Sequence, residues 1–162
     1  MTNKISNWEF LKRYIYNTNQ DKFRNIFIYD MNLNDWNIFV DYLNSYNITF
    51  KDYQSELLYN KIDIEKLIES WNGINEDGYI CRIIFDKINI NCFFNTIDFI
   101  EMDIDCFEFK SINEHIVLID FLKKISYKLK KIIYVKENTY NDEAKIFIEV
   151  NEEKVLIFNN EE

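Results

Sequence analysis

Between Tyr79 and Asp105 apolar residues recur at every second position in three successive runs, and the chain then leads directly into its longest amphipathic stretch, Ile112 to Leu129. Alternating runs separated only by short polar breaks fold as antiparallel neighbours. With a two-residue turn at Asp86-Lys87, Phe85 meets Ile88, Ile83 faces Ile90 and Cys81 faces Cys92 on one apolar side. A two-residue turn at Asn95-Thr96 would next set Ile90 against Glu101. The pattern therefore predicts a three-residue turn, Asn95-Thr96-Ile97, pairing Cys92 with Ile100, Ile90 with Met102 and Ile88 with Ile104. Glu101, Asp103 and Asp105 then share the opposite face. Arg82 and Asn91 fall in line with Glu101, and Lys87 falls near Asp105.

Elements on either side of this meander can be read from caps and periodicity. Ser6 and Glu9 make a capping box for a first helix over about residues 7–17, and Asn25 to Met31 reads as a strand. Asn34 is the expected cap of a helix to Ser45 whose Trp36, Phe39, Val40 and Leu43 make one apolar stripe. A strand at Ile48 to Lys51 would complete a βαβ-like opening, and residues 52–60 read as loop. Asp63 caps a further helix that Gly73 ends. Ser111 and Glu114 cap the long helix, and strands are expected at Ile132 to Lys136, Ala144 to Val150 and Lys154 to Phe158, the last two joined at Asn151-Glu152. The predicted fold is a single α+β domain over residues 1–162: a mainly antiparallel sheet with a central three-stranded meander and helices packed on one face. Leu43, Ile83, Ile90, Met102, Leu122 and Ile125 should lie deep in its core.

Composition narrows the function classes. With 162 residues and 48% apolar content the chain can bury a sizeable core, and without proline its turns fall to Asn, Asp and Ser. No run of about 18 apolar residues occurs and the amino terminus, MTNKISNWEF, lacks the apolar region of a leader, so the expectation is a soluble, cytoplasmic protein with no membrane contact. Cys81, Cys92 and Cys106 lack zinc-site spacing and read as reduced thiols, and the lone His115 reads as structural. The net charge of −9 disfavours nucleic-acid phosphates and favours a basic protein partner. It is concentrated over residues 25–78 and 137–162, whereas residues 111–136 are basic.

Glu101, Asp103 and Asp105 are the candidate partner-binding residues. Three carboxylates on one strand face could hold a divalent cation, but such spacing is common on exposed faces and no glycine-rich phosphate loop accompanies it. No cofactor, metal or catalytic set is expected, and the reading leans away from an enzyme.

Two resemblances bear on function. The succession CFF, IEMDID, helix and KLKKIIYVKEN over residues 92–138 resembles small acidic immunity proteins of bacterial polymorphic toxin systems. That resemblance implies a non-enzymatic inhibitor that neutralises a cognate, basic toxin by stoichiometric binding. The order helix, three strands, helix, strand from Asp63 to Lys136 resembles restriction-endonuclease-like nucleases, with Asp98 and Glu108-Phe109-Lys110 in place of their magnesium-holding pattern. The alternatives are thus a magnesium-dependent nuclease of that type, or a phage-encoded inhibitor that mimics nucleic acid with its carboxylates.

Overall fold

The computed structural model describes residues 7–19, 21–74, 78–139, 141 and 143–159. Among these, eight strands form one antiparallel sheet: β1 (Phe23–Ile28), β2 (Ile48–Asp52), β3 (Tyr79–Ile84), β4 (Asn89–Phe93), β5 (Ile100–Asp105), β6 (Ile133–Glu137), β7 (Ile146–Val150) and β8 (Val155–Ile157). The helices are α1 (Trp8–Tyr14), α2 (Leu33–Leu43), α3 (Ile64–Trp71) and α4 (Ile112–Leu129), all packed on one face of the sheet. The expected α+β architecture is therefore observed. No described helix is long and apolar enough to cross a membrane.

The strand order β2-β3-β4-β5-β1-β6-β7-β8 keeps the meander contiguous but moves it off centre. β1 inserts between β5 and β6, pairing Phe27 with Glu101 on one side and with Tyr134 on the other. The βαβ-like opening is corrected accordingly. β1 and β2 run parallel, yet β5, β4 and β3 lie between them, so α2 crosses three strands.

The first hairpin has the expected register, with Cys81 opposite Cys92 and Ile83 opposite Ile90. The second is shifted by two residues: Ile90 pairs with Ile104 and Cys92 with Met102. A shift of two preserves the faces, so Ile90 and Met102 remain together in the core. The cause is a longer loop than a local turn. Trp36 Nε1 donates to Ile97 O at 2.7 Å, Trp71 Nε1 donates to Phe94 O at 3.0 Å and Met31 N donates to Asp98 O at 2.9 Å. Three bonds from α2, α3 and the segment between β1 and α2 hold residues 94–98 open where sequence spacing suggests a tight turn.

Helix starts follow cap chemistry. Asn32, not Asn34, caps α2, because Asn32 accepts from Asp35 N while Asp35 accepts from Asn32 N, a reciprocal pair that Asn34 has no partner to make. Ser111 and Glu114 form the expected box on α4, and Asp63 caps α3. Asn7 caps α1, and Ser6 lies outside the described residues. Gly73, at φ +70°, ends α3 in the left-handed conformation. Leu43, Ile83, Ile90, Met102, Leu122 and Ile125 are all buried, as the periodicity requires.

Candidate functional site

One face of the sheet carries the helices; among the described residues no helix covers the other. Alternation assigns Asn25 and Phe27 of β1, Arg82 of β3, Asn91 and Phe93 of β4, Glu101, Asp103 and Asp105 of β5, and Tyr134 and Lys136 of β6 to this second face. The three carboxylates thus share a face as predicted. β5 is an interior strand, so neighbours on both β4 and β1 flank them.

Glu101 is only 7% exposed, although a carboxylate on the helix-free face would ordinarily meet water. Its cross-strand neighbours are Phe93 on β4 and Phe27 on β1, and the Phe99 ring, 6.1 Å from that of Phe27, precedes it along the chain. Bulky rings on both sides exclude water from a position that would be open beside small or flexible residues. Asp103 accepts from Asn91 Nδ2 at 2.8 Å, and Asn91 Oδ1 in turn accepts from Arg82 Nε at 3.2 Å. The line across the sheet therefore reads Arg82, Asn91, Asp103, instead of ending at Glu101. Burial, reinforced by the charges of Glu101 and Asp105, raises the Asp103 pKa, while Asn91 and Arg82 pull it down. Asp105 takes Lys22, not the expected Lys87, as its ion-pair partner. It meets Lys22 at 3.5 Å and accepts from Phe107 N at 2.9 Å, capping the short 3-10 turn Cys106–Glu108.

Beside these carboxylates lies an aromatic cluster that acidic patterning alone does not reveal. Phe27 stacks on Tyr29 at 5.7 Å, and Tyr29 contacts both Phe99 and Tyr134. The Lys136 ammonium stands within 5.1–5.8 Å of the rings of Phe27, Tyr29 and Tyr134, and donates to Tyr29 Oη at 3.0 Å. The alternation of Phe27 and Tyr29 in NIFIYDM was visible in the sequence; that β1 joins β5 and β6 was not. At the far side of the face, Tyr53 lies over Gly78. A Cβ at Gly78 would overlap the Tyr53 ring, so only glycine lets that ring lie flat there. Burial, and then the charges of Glu101, Cys92 and Asp103, raise the Tyr53 pKa.

The residues of the nuclease-like pattern are not brought together. Asp98 precedes β5 and Glu108 follows it, so the length of a six-residue strand, about 20 Å, separates them. Glu108 is instead engaged by Asn89, whose backbone N and Nδ2 donate to it at 2.6 and 2.9 Å. Cys81, Cys92 and Cys106 are buried thiols whose pKa values burial pushes up, to about 12 for Cys81 and about 11 for Cys106, which leaves them protonated and unreactive.

Comparison with protein-family models, curated proteins and solved structures finds no match. The function must be argued from the site itself.

Proposed function

We propose that the protein acts without catalysis, by stoichiometric binding of a basic protein through the helix-free face of its sheet, as an immunity-type inhibitor blocks a toxin. The observation that carries this reading is the aromatic centre of that face. A sheet covered on one side ordinarily presents polar residues to water on the other. Here Tyr29 is 38% exposed, Phe99 and Tyr134 stand half-buried against it, and half-buried Phe93 lies beyond Glu101 on β4, all held by strands or strand ends. Rings on a rigid scaffold lose little conformational freedom on binding and dominate the energetics of protein interfaces. The carboxylates beside them, with the net charge of −9, attract a basic partner and speed encounter.

Co-expression with the product of the adjacent gene tests the reading. The expected result is a 1:1 complex that restores growth when the gene product is toxic, and loss of both effects in Tyr29→Ala/Tyr134→Ala. A complex and protection unchanged by that pair of substitutions would overturn the assignment of this face.

A further inference from the structure

Four of the most exposed apolar side chains belong to one segment. Ile74 is 71% exposed, Leu57 and Leu58 are each 64% exposed and Tyr53 is 54% exposed. Singly exposed leucines are ordinary, but adjacent ones on a tethered loop are not. The loop is held at both ends. Tyr53 N donates to Gly78 O at 2.8 Å, and Phe50 and Tyr59 exchange two backbone hydrogen bonds of 2.8 Å each. The Lys66 ammonium of α3 lies 4.2 Å from the centre of the Tyr59 ring, joining the loop to the helix. Fixed ends with both leucines turned to water leave an apolar surface that the fold itself does not use.

Charge says what would cover it. Residues 52–74 carry five carboxylates, those of Asp52, Glu56, Asp63, Glu65 and Glu69, against the two lysines Lys61 and Lys66. On the helix-free face, by contrast, Asp105 pairs with Lys22, and Asp103 is linked through Asn91 to Arg82. The stretch that presents Leu57 and Leu58 therefore carries three more carboxylates than lysines, with Glu56 directly beside Leu57 in the chain. Exposed leucines on an acidic segment suit a partner that offers apolar and basic side chains together. We infer that this end of the molecule, centred on Leu57 and Leu58, is the docking surface for an amphipathic, lysine- or arginine-rich segment of the protein partner. The inference rests on the binding function proposed above and adds where the partner's apolar side chains seat. Tyr53 joins the two surfaces, since it lies against Gly78 on the sheet side and begins the loop on the other.

The test titrates the ¹⁵N-labelled full chain with two synthetic peptides of equal positive charge, an amphipathic leucine-lysine peptide and a glycine-lysine peptide. The expected result is that amide shifts cluster over residues 52–74 and that the leucine-containing peptide binds at least tenfold more tightly. Leu57→Ser/Leu58→Ser should abolish that preference, whereas Glu101→Gln/Asp103→Asn/Asp105→Asn should leave it intact. Both leucines are mostly exposed, so the double variant keeps its fold, which the unchanged spectrum elsewhere verifies. Unchanged affinity in the leucine variant, or no shifts over residues 52–74, would overturn the inference. Shifts confined to the sheet face and lost in the carboxylate variant would also overturn it while leaving the binding function standing. The co-expression experiment decides that function independently.

Discussion

Lowering the pH through the range where an ordinary histidine titrates should destabilise this protein through one side chain. His115 lies in the first turn of α4, almost wholly buried, with Nδ1 2.6 Å from Tyr16 Oη. Burial raises the Tyr16 pKa well above its usual value, so the phenol stays protonated and donates to Nδ1. The imidazole proton is thereby assigned to Nε2, which is buried and has no hydrogen-bond partner among the described residues. Burial lowers the His115 pKa from 6.5 to about 4. Because the folded value lies below the unfolded one, the unfolded chain binds the proton more readily. The stabilisation is complete above pH 6.5 and is lost as pH falls towards about 4. At ~1.4 kcal/mol per pH unit the full loss is about 3 kcal/mol, a large part of the stability of a domain this size. Urea denaturation at intervals from pH 7.5 to 4.5 measures it, with His115→Gln as the non-titrating control that cancels the carboxylates common to both proteins. The parent should lose about 2.5 kcal/mol of this relative to the variant across the interval, which stops just above the folded pKa. An imidazole that titrates near 6.5 by NMR, or parallel curves for the two proteins, would refute the reasoning.

Other perturbations follow from the same packing. Met102→Ala, at a fully buried position between β4 and β1, should cost about 2–5 kcal/mol in urea denaturation. Gly78→Ala should cost about 1–3 kcal/mol by driving the Tyr53 ring off the strand, and little when Tyr53→Ala is already present, a coupling that a double-mutant cycle reads. Asp103→Asn should stabilise the fold at neutral pH: the folded pKa of Asp103 is raised, so its charge is a liability that disappears as pH falls. The gain over the parent should therefore shrink in acid, and a variant less stable at pH 7 would contradict this account. All three thiols should resist a thiol reagent until the protein unfolds.

What the sequence reveals and what it hides have a common physical origin. The Asp86-Lys87 hairpin was legible because a two-residue turn and the alternation of Cys81, Ile83 and Ile90 act within a few residues of each other. The following hairpin was read two residues out of register because its loop is set by Trp36, Trp71 and Met31, which are remote in sequence. The site shows the same division. That Glu101, Asp103 and Asp105 share a face follows from alternation alone. Their partial burial does not, because it depends on β1 entering beside β5 and bringing Phe27 with it. The capping of α2 by Asn32 instead of Asn34 was decided by whether Asp35 can reach back, a choice that several nearby Asn residues obscure.

The most direct test of the binding account is the association rate with the basic partner, measured by stopped flow from low to high salt for the parent and for Glu101→Gln/Asp103→Asn/Asp105→Asn. These replacements keep shape and acceptor oxygens, including the one by which Asp105 holds Phe107 N, so the fold is retained while the charges are removed. The account predicts slower association of the variant at low salt and convergence of the two proteins as the Debye length shrinks to about 3 Å near 1 M. Identical rates at every ionic strength would contradict it.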